Sequence, residues 1–177
     1  MRTRHALTAT AVAMVCVGAG IPASANTSGT STASITVTGG VLAITVPTSA
    51  GSLGSRANSV GGGTISGSLG QVQVTDARSA PAGSGWVASV ISTAFTPSVG
   101  PAVPASAVSY VAGVITQVGT ATYAASDPSG LAGVAVVVTA TAITGDNSAT
   151  WNPTITVTVP GGMAAGVYSA TITHSVV

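Results

Sequence analysis

Almost nothing in this chain is equipped for proton transfer or nucleophilic attack. Beyond residue 25 the charged side chains are Arg56, Arg78, Asp76, Asp127 and Asp146, joined by a single histidine, His174; lysine and glutamate are absent throughout. Hydrolysis or group transfer needs a nucleophile beside a base, paired carboxylates or a bound metal. His174 lies within the last four residues and alternates with apolar side chains, the pattern of a partly buried histidine and not of a catalytic base. No serine stands in a Gly-x-Ser-x-Gly elbow, and Ser84, in Ala82-Gly83-Ser84-Gly85-Trp86, reads as a turn. Asp127-Pro128-Ser129-Gly130 and Gly145-Asp146-Asn147-Ser148 are turn sequences in which the carboxylate accepts nearby backbone N–H groups. Isolated carboxylates of this kind do not build a calcium site. Gly61-Gly62-Gly63 is followed by no Gly-Lys-Ser/Thr, so it reads as a flexible loop and not as a phosphate cradle. The expectation is a protein that is not an enzyme, with no catalytic residue, no metal and no cofactor.

The aromatic residues offer more. Trp86, Trp151, Phe95 and three tyrosines hold all the large aromatic area. They can anchor a core, or they can stack on the apolar faces of sugar rings while neighbouring Asn and Thr bond the hydroxyls. Trp151-Asn152 beside a threonine row suits the second use, which makes Trp86, Trp151 and Asn152 the candidate ligand-binding residues. Asp76 and Arg78 sit two apart on a strand, point to the same side and are expected to form a local ion pair at the sandwich edge. Tyr168 and His174 are assigned structural places on the last strand.

The elements that would position these residues are strands. Gly, Ser, Thr, Ala and Val dominate, and long runs of Leu, Glu, Lys and Arg are missing. Strand signals fall at 34–38, 41–46, 70–76, 85–95, 107–118, 133–144, 152–159 and 166–176. Trp151, Pro153, Ile155, Val157 and Val159 alternate with Asn152, Thr154, Thr156 and Thr158, placing an apolar row against a threonine row. Tyr168, Ala170, Ile172, His174 and Val176 repeat the pattern, and Pro160-Gly161-Gly162 between the two rows suggests neighbouring strands. One buried and one wet face per strand predicts an all-β, antiparallel two-sheet β-sandwich of about eight strands.

The N-terminus reads as an export signal. Arg2 and Arg4 precede an apolar stretch from Ala6 to Ile21, and Ala23-Ser24-Ala25 ends it. This assigns residues 1–25 to a signal peptide, 26–33 to a flexible Ser/Thr-rich leader and 34–177 to one sandwich domain. The apolar stretch falls short of the ~20 residues that span a bilayer, so no membrane span is expected in the mature chain. Removing 25 of 177 residues leaves 152, enough for one domain with a real core. Cys16 leaves with the signal, so no disulfide holds the rest. The mature side chains carry two positive and three negative charges. A surface so near neutrality cannot release counterions from a phosphate backbone, which argues against nucleic acid as a partner. It favours association in a crowded, polymer-rich layer.

Several short motifs, taken in order, resemble the WxL-domain surface proteins of Gram-positive bacteria. They are Leu69 to Arg78, Gly85-Trp86-Val87-Ala88, Thr150-Trp151-Asn152-Pro153 running to Val159-Pro160, and Ala165 to Val176. Ala88 stands where the first Trp-x-Leu would carry Leu, and Pro153 where the second motif carries an aliphatic residue. The resemblance implies a secreted, extracellular protein attached non-covalently to the cell wall, with peptidoglycan or another surface protein as its partner. The last residues read as strand and not as an anchor or sorting motif, so any retention after export is expected to be non-covalent, and free secretion fits equally well. A structural subunit, packing with copies of itself or a partner into a fibre or layer, is the other reading.

Overall fold

A computed structural model describes residues 31–177. The signal peptide expected over 1–25, and the leader up to residue 30, lie outside the described residues. Ten strands follow: β1 (Leu42–Thr45), β2 (Gly63–Ser68), β3 (Val72–Ser92), β4 (Thr96–Pro97), β5 (Val108–Val111), β6 (Thr116–Ala125), β7 (Ala135–Trp151), β8 (Thr154–Val159), β9 (Tyr168–Ser169) and β10 (Ile172–Val176). The only helical turn among the described residues is a 3-10 turn over Ala105–Ala107.

The fold is an all-β sandwich with antiparallel pairing throughout. One sheet runs β1-β3-β7-β6, with β10 joining β3 beyond β1 on the same side. The second sheet is β2-β8-β5, and β4 and β9 form a small ribbon. The core lies between the two main sheets. Val72, Val74, Trp86, Ala88 and Val90 of β3 and Val138, Ala140, Ala149 and Trp151 of β7 enter it from one side. Val108 and Tyr110 of β5 and Ile155 and Val157 of β8 enter from the other, as two inner faces with alternating side chains must.

Two chain segments switch sheets side by side. β2 turns into β3 through Leu69-Gly70-Gln71, and β7 turns into β8 through Asn152-Pro153. The crossings are tied together, since the Leu69 N–H donates to the Pro153 carbonyl (2.9 Å) and the Ser68 hydroxyl to Asn152 Oδ1 (2.6 Å). Gly70 has φ +93°, and a Cβ there would lie 2.7 Å from Pro47, so the corner requires glycine.

β3 is longer than the alternation implied. The signals at 70–76 and 85–95 belong to one strand that pairs with β7 on both sides of an irregular stretch between Asp76 and Trp86. Opposite Asp76 is Asn147 and opposite Trp86 is Ala140, so β3 carries more residues over this interval than β7 and bulges outward. Ser79, at φ 53°, is held there by its N–H donating to Asp146 Oδ1 (2.9 Å). Gly85 closes the bulge, where a Cβ would lie 2.6 Å from the Ala140 carbonyl oxygen.

Other expectations are corrected. The Gly-rich stretch read as a flexible loop contains β2, whose Thr64, Ser66 and Ser68 pair with the outward threonines of β8. β8 and β10 are not neighbours: β8 lies between β2 and β5, whereas β10 pairs with β3 in the other sheet. The 107–118 signal divides into β5 and the start of β6. Ser34–Thr38 is not assigned as a strand.

Candidate functional site

Both tryptophans are buried, Trp86 at 2% exposure and Trp151 at 1%. Neither can stack on a sugar, which corrects the expectation that they line a ligand face. Each is instead the apolar body of a buried polar cluster. β3 and β7 bring the first together. Trp86 Nε1–H and the Tyr123 hydroxyl of β6 both donate to Asn147 Oδ1, at 3.1 and 3.0 Å, and the rings of Trp86 and Tyr123 meet at a tilted 5.7 Å. Asp76 faces Asn147 in the strand register. It is fully buried and accepts a bidentate ion pair from Arg78, Nε to Oδ1 at 2.8 Å and Nη2 to Oδ2 at 2.9 Å. The ion pair is therefore present, but its carboxylate is a buried group and not one at a wet edge. The Arg78 guanidinium, through these bonds, holds the Asp76 carboxyl below its ordinary value, outweighing the upward pull of burial. Asn147 Nδ2 finds no hydrogen-bond acceptor, although the amide assists the neighbouring Asp76 carboxylate more weakly.

The second cluster crosses the sandwich. Trp151 Nε1–H on β7 donates to the Tyr110 hydroxyl on β5 at 2.7 Å, and that hydroxyl also lies 3.2 Å from His174 Nε2 on β10. The Tyr110 and His174 rings meet at 5.7 Å. Burial raises the Tyr110 phenol well above its usual range and lowers His174 to about 4, so at neutral pH both are uncharged and hold the sheets together. Asn152 is exposed and occupied in the sheet-crossing bond to Ser68. The Tyr168 hydroxyl donates locally to the Ala164 carbonyl at 2.9 Å.

A concavity lies elsewhere, at one end of the sandwich. A cleft of about 850 Å³ opens between the segment 47–62, the segment 160–171 and the end of the core. Its apolar lining includes Leu53, Ile65, Phe95, Val159 and Met163, and its rim carries Ser49, Ser52, Ser55 and Ser59. The two segments are laced together: Asn58 Nδ2 donates to the Met163 carbonyl at 2.6 Å, and the N–H groups of Gly62 and Gly162 share the Ser59 carbonyl at 3.3 Å. Arg56 lies at this rim. Its guanidinium crosses Gly63 so closely that a Cβ there would fall 1.3 Å from Nη1, and Nη2 donates to Ser59 Oγ at 3.2 Å. Among the described residues Arg56 makes no salt bridge, since the one ion pair is Arg78 with Asp76. Sequence reasoning missed this site. Its one signal was Arg56 itself, a lone cation set among serines. No group of His, Cys, Asp or Glu among the described residues is placed to hold a metal ion, and no helix there is long and apolar enough to cross a membrane.

Comparison with known proteins returned no matching family model, no matching curated protein and no matching solved structure.

Proposed function

We propose that this chain is a secreted, cell-surface protein that binds wall glycan non-covalently, and that it does so in the Arg56 cleft, not through its tryptophans. One observation carries the reading. Among the described residues, the single arginine left without a carboxylate stands at the rim of an 850 Å³ cleft whose walls offer serine hydroxyls and whose floor offers Phe95 and aliphatic side chains. Apolar floor, hydroxyl rim and one guanidinium are the groups that hold a sugar ring bearing a carboxylate. The ring face lies on the floor, serines bond its hydroxyls and the guanidinium receives the carboxylate in a paired hydrogen bond. Peptidoglycan has this chemistry: its glycan supplies ring faces and hydroxyls, and its carboxylates stand on the stem peptide or, where the peptide is removed, on the lactyl group of its sugar. The export signal expected at the N-terminus and the WxL-like motif order support the location.

Co-sedimentation of the secreted chain with purified Gram-positive walls tests the proposal. The unmodified chain is expected to pellet with walls, and Arg56→Gln to lose most of that binding while melting at the unmodified temperature. A chain that stays in the supernatant, or an Arg56→Gln variant that pellets unchanged, contradicts it.

A further inference from the structure

Ser34-Ile35-Thr36-Val37-Thr38 has the pattern of a strand, β-branched at every position after the first and strictly alternating. It is nevertheless assigned to no sheet, and Ile35 and Val37 are 92% and 83% exposed. Among the described residues its backbone makes no hydrogen bond outside local structure, the first being that of Gly40 N–H to the Ala77 carbonyl. An apolar-and-threonine strand without a sheet is one half of a pairing.

The other half is β6. It pairs with β7 on one side and has no strand on the other. Its ten residues make it the longest free edge: β1, β2, β5 and β10 have four, six, four and five. It carries no charged residue and no proline, two of the devices that blunt an edge; its pairing with β7 shifts register between Val118 and Thr122, so the regular stretch of the edge is Thr122–Ala125. Its outer margin is also short of cover, with Val118 68% exposed and only Ala121 and Tyr123 half-buried.

We propose that Ser34–Thr38 of one copy adds as a strand to the free edge of β6 in a second copy. The side-chain pattern matches, because Ile35 and Val37 would extend the apolar inner layer past Tyr123 while Ser34, Thr36 and Thr38 extend the hydroxyl outer face. Neither partner carries a charge to repel its like. Gly39, just ahead of the Gly40 bond to Ala77, is the joint behind the added strand. Each chain holds one donor segment and one acceptor edge, so the contact is head-to-tail and, unless its rotation closes into a ring or a reciprocal dimer, leads to an open chain of subunits. The pairing does not depend on the glycan cleft, which lies on other segments.

The test uses the secreted chain, its Thr36→Pro variant and a photo-crosslinking residue at Val37. Thr36→Pro removes a ladder N–H from a segment outside the sheets, so its melting temperature is expected to match that of the unmodified chain. Sedimentation over rising concentration is expected to show a growing ladder of oligomers for the unmodified chain, shifted at least tenfold in concentration by Thr36→Pro. In a mixture of isotope-labelled and unlabelled copies, the Val37 crosslinks are expected between copies and within Thr116–Ala125. A single monomeric species up to millimolar concentration overturns the proposal, as do oligomers indifferent to Thr36→Pro or crosslinks that fall on another strand.

Discussion

Trp86 and Trp151 decide most at the scale of single residues. Each fills core volume and also donates a buried N–H, to Asn147 and to Tyr110 respectively. Trp86→Ala and Trp151→Ala are therefore each expected to cost about 3–5 kcal/mol in chemical denaturation, and any loss of wall binding in them follows from unfolding. His174 makes the fold sensitive to mild acid. Its folded value of about 4 lies below the ordinary 6.5, so between these values the unfolded chain binds a proton that the folded chain refuses. Its contribution to stability is constant above pH 6.5 and falls as pH drops toward 4, by about 1–2 kcal/mol after allowing for the ring's partial exposure. Thermal melts of His174→Gln against the unmodified chain are expected to converge as pH is lowered through this window. Asp76 acts further down: its lowered value contributes stability above the unfolded carboxylate range, and that contribution disappears only as pH falls through the folded value.

The long strands β3 and β7 are the elements that organise the molecule, and the bulge between Asp76 and Trp86 lets them stay paired. Gly85→Ala is expected to lower stability by roughly 1–3 kcal/mol, because its methyl would press on the Ala140 carbonyl. Gly133→Ala meets nothing within 4 Å and has no left-handed φ, so it is expected to be neutral or to stabilise by about 0.5 kcal/mol. Paired denaturation curves for the two variants check both. What was legible in the chain follows the same division. Alternation in β8 and β10 revealed two half-buried strands, since a period of two is a local property. It could not reveal that β8 and β10 belong to different sheets, because the Pro160-Gly161-Gly162 turn looks the same whether the chain returns beside itself or crosses the sandwich. β2 was hidden by its glycines: Gly67 is there because a side chain would strike Leu53, 2.5 Å from its carbonyl oxygen, and not because the backbone is a loop. Trp86 and Trp151 were legible as important residues but not as buried ones, since the acceptors that satisfy their N–H groups, Asn147 and Tyr110, stand 61 and 41 residues away.

At the scale of the whole molecule the governing fact is near-neutrality. With lysine and glutamate absent, the outer faces rely on threonine and serine, as in the hydroxyl pair of Ser66 and Thr156 at 2.9 Å. Such a surface neither steers nor repels, so binding has to come from shape and local hydrogen bonding. Arg56, the one arginine among the described residues without a carboxylate, then gains weight far beyond its number. The most direct test of glycan binding in the cleft is an NMR titration of the isotope-labelled secreted chain with soluble peptidoglycan fragments, a disaccharide with and without its stem peptide. The account predicts chemical-shift changes confined to 47–62 and 160–171, with Arg56 the most affected side chain and the indole N–H signals of Trp86 and Trp151 unmoved. No shifts at any fragment concentration, or shifts centred on another face with the Arg56 cleft silent, would contradict it.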